Sequence, residues 1–147
     1  MGKDILDLLE QVQRLQNIQD IRNLITTYCQ SVDSWDKESF LSIWDNEAVY
    51  MVPRGASNGK KEIAEMYEKI TSAEQNHHHH VTNSKIEING DSATGVSDVL
   101  YYRLIDGEST YLSGRYYDEF CKSSGKWLIK RREFKPQATI SPLFNRV

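Results

Sequence analysis

All four histidines of the chain stand in one uninterrupted run, His77-His78-His79-His80. An imidazole can bind a metal or move a proton near neutral pH. In an extended strand side chains alternate, so His77 and His79 face one way and His78 and His80 the other. A tetrahedral metal site needs further ligands in a set arrangement. No such motif accompanies the run, so neither a metal nor another cofactor is expected. General-base chemistry asks for less: one histidine, with a carboxylate orienting its second nitrogen. The plainer alternative is a polar, metal-sticky patch at the start of a strand.

Asp33 is the best candidate for that carboxylate. It closes a long apolar helix, in Ser31-Val32-Asp33-Ser34-Trp35-Asp36. Asp36 is the more natural N-cap of the next helix. Asp33 is then left with no structural task beyond ending its own helix. The eight tyrosines are a second anomaly. Tyr28 lies just over one helical turn before Asp33, and Tyr50 is central in a short strand-like segment. Tyr101 and Tyr102, then Tyr116 and Tyr117, form adjacent pairs in which alternation sends one ring inward. Strand propensity explains tyrosines in strands; inward phenols would also give a pocket apolar walls with O–H donors. Arg131 and Arg132 close the last strand, and one of them can point inward.

These residues need elements to position them. Ile5, Leu8, Leu9, Val12 and Leu15 recur at helical spacing, and Ile18, Ile21, Ile25 and Tyr28 continue it, predicting a helix over 4–32 capped by Asp4. A short helix follows Ser34 or Asp36, carries Phe40, Leu41 and Trp44, and ends near Asn46. Ala48 to Val52 reads as a strand stopped by Pro53, Gly55 to Gly59 as loop, and Lys60 to Ser72 as a third helix with Ile63, Met66, Tyr67 and Ile70 on one stripe. Asn89-Gly90, Asp106-Gly107 and Ser124-Gly125 mark three hairpins; the first two dipeptides favour type I′ turns. The strands between them run to about 10–14 residues, long by ordinary standards. Residues 136–147 hold two prolines and read as a tail. Helices followed by a meander of long strands predict an α+β fold. The expected architecture is a strongly bent, mostly antiparallel sheet wrapped over the long N-terminal helix, with a pocket between them.

Composition limits the function classes. At 147 residues, with 39% hydrophobic and 27% charged, the chain reads as one globular domain, 1–147. Its longest apolar run, Ala48 to Val52, is far short of the ~20 residues of a membrane span. A net charge of −3 gives no basic stripe for nucleic acid. The N-terminal segment lacks a signal-peptide core, so a cytoplasmic location and free thiols at Cys29 and Cys121 are expected.

Several segments, taken in order, resemble a known family. They are Ile18-Gln19-Asp20-Ile21, Ser31-Val32-Asp33, Leu41-Ser42-Ile43-Trp44 with Ala48, and His79-His80-Val81-Thr82-Asn83. Asp98-Val99-Leu100, Asp118-Glu119-Phe120 and Gly125-Lys126-Trp127 with Lys130 to Arg132 follow. Over roughly residues 15–135 the chain resembles the SnoaL-like branch of the nuclear-transport-factor-2-like (NTF2-like) superfamily. Within it, the nearest group holds hexachlorocyclohexane dehydrochlorinase, scytalone dehydratase and bile-acid 7α-dehydratase.

The resemblance implies the cone-shaped, cystatin-like α+β barrel and an Asp33–His79 catalytic dyad. His79 would take a proton from carbon while Asp33 holds its tautomer. Arg132 matches the arginine that reaches the dehydrochlorinase pocket, and Tyr50, Val99, Tyr101 and Tyr116 match pocket-lining positions. Tyr28 stands where the dehydrochlorinase has a lysine, five residues before the aspartate. A phenol can protonate or position a leaving hydroxyl, so the swap favours dehydration over chloride loss. The expected activity is a cofactor-free dehydratase acting on a hydrophobic oxygenated ring substrate of polyketide, steroid, terpenoid or aromatic type. An isomerase or cyclase shares the first proton transfer. The non-catalytic alternatives are a small subunit of a ring-hydroxylating dioxygenase or a ligand-binding module. The resemblance also implies a homo-oligomer, trimer before dimer, with no nucleic acid or membrane partner.

Overall fold

The computed structural model describes residues 1–73 and 76–140. Helix α1 spans Gly2–Asp33. It has no side-chain cap at its start; Asp4, the expected cap, lies in the first turn, where its carboxylate meets the positive end of the helix dipole. Only the second half packs. Ile21, Leu24, Ile25, Tyr28 and Val32 are buried, at spacings of three and four that form one face. The apolar residues from Ile5 to Leu15 are exposed, so the stripe does not face the sheet along its whole length as expected. Trp35 ends the helix in the left-handed region, at φ 61°.

Helix α2, Lys37–Ser42, is capped as the sequence predicts: the Asp36 carboxylate accepts from the Ser39 N–H at 3.0 Å. It stops earlier than expected. Trp44 opens strand β1, Trp44–Val52, rather than closing a helix. Pairing decides this: Trp44 lies opposite Ile129, and the Ile129 N–H donates to the Ile43 carbonyl at 2.8 Å. The segment expected as loop forms β2, Gly55–Asn58, a short edge strand antiparallel to β1. Its Gly-Ala-Ser-Asn composition has low strand propensity, so pairing with β1 defines it. Helix α3 follows at Gly59–Ala73.

Four long strands complete the chain: β3 Asn76–Asn89, β4 Ser92–Ile105, β5 Glu108–Ser123 and β6 Lys126–Ile140. The sheet order is β2-β1-β6-β5-β4-β3. Among the described strands only the β1–β6 pair is parallel. The fold is α+β, a long N-terminal helix against a curved, mostly antiparallel sheet. Asp106-Gly107 and Ser124-Gly125 have positive φ at both residues, as type I′ turns require. At the first hairpin the central pair is Gly90-Asp91, because Asn89 pairs with Ser92. Positive φ falls on Gly90 and not on Asn89 or Asp91, a type II′ pattern in place of the expected I′. Residues from Pro136 were expected as tail, yet β6 continues to Ile140, with Pro136 opposite Gly114. Beyond that the expected tail lies outside the described residues.

Register shifts interrupt β3 between Thr82 and Lys85, and β5–β6 at Ser113/Gly114 and Glu119/Phe120. Such bulges bend and twist a sheet locally. At one of them a side chain is barred: a Cβ on Gly114 would sit 2.6 Å from both the Lys135 carbonyl oxygen and the Phe134 ring. Gly114→Ala is therefore expected to cost about 1–3 kcal/mol, as overpacking typically does. Urea unfolding should show a lower midpoint at unchanged slope.

Candidate active site

The end of α1 and the start of β3 meet at Asp33. His79 Nδ1 lies 2.6 Å from Asp33 Oδ1, and the His79 main-chain N–H donates to Oδ2 at 2.9 Å. Both side chains are largely enclosed, at 7% and 12% exposure. Inward alternation holds for His77 as well: its Nε2 donates to the Val32 carbonyl at 2.7 Å, tying the same junction. His78 and His80 project outward with rings 4.8 Å apart. With Nδ1 committed to the carboxylate, the proton sits there and Nε2 is the basic nitrogen. Burial pulls the His79 pKa below the ordinary 6.5; the Asp33 hydrogen bond and charge oppose it, and His77 and Arg132 add to the fall. The neutral imidazole, the form that can accept a proton, is thereby favoured.

His79 borders a cavity of about 320 Å³, within the range of small-molecule sites. Tyr28, Tyr50, Tyr101 and Tyr116 contribute aromatic wall, together with Phe40 and Phe134. The Tyr101 ring lies 4.5 Å from that of His79, and the Tyr28 ring packs edge-on at 5.8 Å. The Tyr28 and Tyr50 hydroxyls hydrogen-bond at 2.9 Å. Burial raises the pKa of Tyr28, Tyr50 and Tyr116 well above the usual phenol range. They are neutral O–H donors. Asp33 lies outside this wall and borders a second, more polar and open cleft of about 600 Å³ that His79 also lines. The carboxylate holds Nδ1, and His79 stands between the polar cleft and the aromatic cavity, lining both. Burial pushes the Cys29 thiol up to about 11, so it is a poor nucleophile at neutral pH.

Val99, expected as pocket-lining, and Arg132, expected to reach the pocket, are not among the residues that line the cavity. Val99 is buried in the core, whereas Tyr101, two residues on and also expected, lines the cavity. Arg132 is fully buried behind the wall, 4.2 Å from the ring centres of Tyr28 and Tyr116. Its Nε and Nη2 donate to the two Asp118 oxygens, both at 2.8 Å. Burial works to lower the Arg132 pKa, but Asp118 outweighs it and the net shift is upward. Asp118 carries a role the sequence reading passed over. The signal was present: Tyr116, Asp118 and Phe120 share one face of β5, so a carboxylate stood between two buried rings. Met66, Tyr67 and Ile70 of α3 also line the cavity, as do Arg54 and Arg103. Among the described residues no group of three His, Cys, Asp or Glu side chains is placed to hold a metal ion, and both cysteines are free. No described helix is long and apolar enough to cross a membrane.

Residues 13–133 match the model of the SnoaL-like domain. The structure is similar to the scytalone dehydratase-like protein of Novosphingobium aromaticivorans, with TM-score 0.83 and 22% identity, covering 89% of this chain and 91% of that one. It is similar to a hexachlorocyclohexane dehydrochlorinase of Novosphingobium barchaimii, with TM-score 0.86 and 19% identity over 91% and 95%. An NTF2-like superfamily protein of Salmonella enterica aligns with TM-score 0.77 and 21% identity over 82% and 90%. No curated protein matches the sequence. The likeness to the solved structures shows the fold.

Removing one partner of a buried ion pair strands the other charge. Asp118→Ala is therefore expected to cost about 3–5 kcal/mol in urea unfolding. The double replacement Asp118→Leu/Arg132→Met should recover most of that loss.

Proposed function

The chain belongs to the SnoaL-like domain family, and on that premise we propose that it is a cofactor-independent lyase, a dehydratase of hydrophobic oxygenated ring substrates. The family's structural neighbours include proteins named for dehydratase and dehydrochlorinase activity. The observation that carries the reading is the 2.6 Å Asp33–His79 contact beside a cavity walled by paired phenols.

The chemistry follows from these groups. His79 Nε2 takes a proton from the carbon next to a substrate carbonyl. Asp33 keeps the correct tautomer and offsets the charge of the imidazolium that forms. The C–H electron pair becomes the new C=C bond as the C–O bond to the neighbouring hydroxyl breaks. Hydroxide is a poor leaving group, so the oxygen needs a proton as it departs. Tyr28, in hydrogen-bond contact with both Tyr50 and Tyr116, supplies that proton. Water leaves, and the imidazolium passes its proton to the phenolate, restoring both groups. Arg132, behind the rings of Tyr28 and Tyr116, supports the negative charge that develops on that side. Tyr101 and Tyr116 hold the ring of the substrate.

A panel of hydrophobic cyclic β-hydroxy ketones tests this, because dehydration gives a conjugated enone with a new ultraviolet band and the mass of one water less. His79→Ala should lower the single-turnover rate about 10²–10⁴-fold, and Asp33→Asn by a comparable factor through the wrong tautomer. Tyr28→Phe keeps the packing and should slow only the leaving-group step. Near-wild-type rates for both dyad variants, with circular dichroism intact, would overturn the reading. A product of unchanged mass would make the protein an isomerase.

The pH profile gives a second check. The base acts as neutral imidazole, so activity falls as acid protonates it. Because its pKa lies below the ordinary histidine value, the acid limb of kcat/KM should have its midpoint below pH 6.5. A midpoint above that value would contradict the assignment.

A further inference from the structure

The aromatic cavity carries two cations that the proposed chemistry does not use. Arg103 and Arg54 both line it. Among the described residues no aspartate or glutamate does so. The nearby acids serve elsewhere. Asp33 borders the polar cleft, and Asp118 is bound to Arg132 behind the wall. Glu62 and Glu65 share with Arg54 an adjoining surface cleft, where the Glu62 carboxylate accepts from the Asn58 N–H at 2.6 Å. The phenols of the wall are neutral, because burial raises their pKa. The fixed charges that line the cavity are thus of one sign, in a chain whose net charge is −3.

Strand pairing sets where the first cation stands. Tyr101 and Arg103 are two residues apart in β4 and share one face of it. Tyr101 lies opposite His79, and Arg103 opposite His77. Arg103 is therefore the diagonal neighbour of His79, about 7–8 Å away along the sheet. A substituted ring spans that distance, so a group beyond the reacting carbon meets the guanidinium. Arg103 is half-buried, while Arg54 is exposed in the turn between β1 and β2 and stands at the rim. A guanidinium presents parallel N–H donors that match the two oxygens of a carboxylate. Each charge brought against an apolar wall costs solvation, so a singly charged carboxylate suits this place better than a doubly charged phosphate. We infer that the ring substrate bears a carboxylate, which Arg103 grips beside the base and Arg54 attracts at the rim. The inference rests on the dehydratase reading for the reaction and adds the class of substrate.

Calorimetric titration of the full chain tests this without turnover. The probes are cyclohexane-, benzene- and naphthalene-carboxylic acids near neutral pH, each beside its primary amide, which keeps the shape and removes the charge. The best-bound acid should bind about 10–100-fold tighter than its amide, and added salt should weaken the acid alone. Arg103→Met should abolish the preference and Arg54→Met should reduce it, with amide binding and circular dichroism unchanged. Where Arg103→Met does not fold, the exposed Arg54 decides: an acid preference unchanged in Arg54→Met would then overturn the inference. Equal affinities of acid and amide, binding by none of the acids, or a preference that survives both replacements would also overturn it. His79→Ala should keep the preference. Loss of dehydration with the acid preference intact would refute the reaction alone. Dehydration of neutral ring ketones with no acid preference would refute the inference alone.

Discussion

One carboxylate holds the site together. Asp33 accepts from both the backbone and the ring of His79, and so fixes where strand β3 begins relative to the end of α1. Once His79 is pinned inward, alternation decides its neighbours: His77 turns in to the Val32 carbonyl, while His78 and His80 turn out. A register slip of one residue would reverse all four. The dyad and the seam between helix and sheet are therefore the same contact. Substitutions at Asp33 act on both the base and the junction, which is why a fold readout must accompany any rate measured there.

Burial then sorts the protonation states. Desolvation penalises whichever form carries charge. For an imidazole that form is protonated, so the His79 pKa falls; for a phenol it is deprotonated, so those of Tyr28, Tyr50 and Tyr116 rise. One apolar enclosure thus leaves a neutral base and neutral acids side by side near pH 7. Elimination of water needs both in that condition at the start of the reaction. The Asp33 charge restrains the fall at His79, preserving some basicity at Nε2.

The Asp33–His79 contact was legible because its members were unusual for their places: a histidine run at a strand start, and a helix-ending aspartate with no capping task. Hairpin signals placed the long strands, since Asp-Gly has few other comfortable conformations. What stayed hidden depended on partners distant in sequence. Trp44 looks helical by its neighbours and becomes strand by pairing with β6. Gly55–Asn58 has no strand propensity to read and is strand only beside β1. The chain after Pro136 looks like tail because proline lacks a donor, yet pairing with β5 continues to Ile140. The stripe from Ile5 to Leu15 shows the converse. Periodicity predicts the helix and its apolar face correctly, but it does not say which surface that face meets.

Arg132 is where position and chemistry part company. A guanidinium in the cavity would bind substrate directly. Here two phenol rings lie between, and both of its cation–π contacts are to rings that form the wall. Asp118 offsets its charge through two hydrogen bonds, so the pair can be buried at all. The residual effect on the phenols has a definite sign. Arg132 pulls the pKa of Tyr28, Tyr50 and Tyr116 down, against the larger upward push of burial. A phenol raised by burial alone would hold its proton too tightly to release it to a departing hydroxyl. The cation behind the wall moderates that, and stabilises phenolate character as it forms. In the proposed dehydration the arginine would tune the acid from behind the rings, without taking space in the cavity.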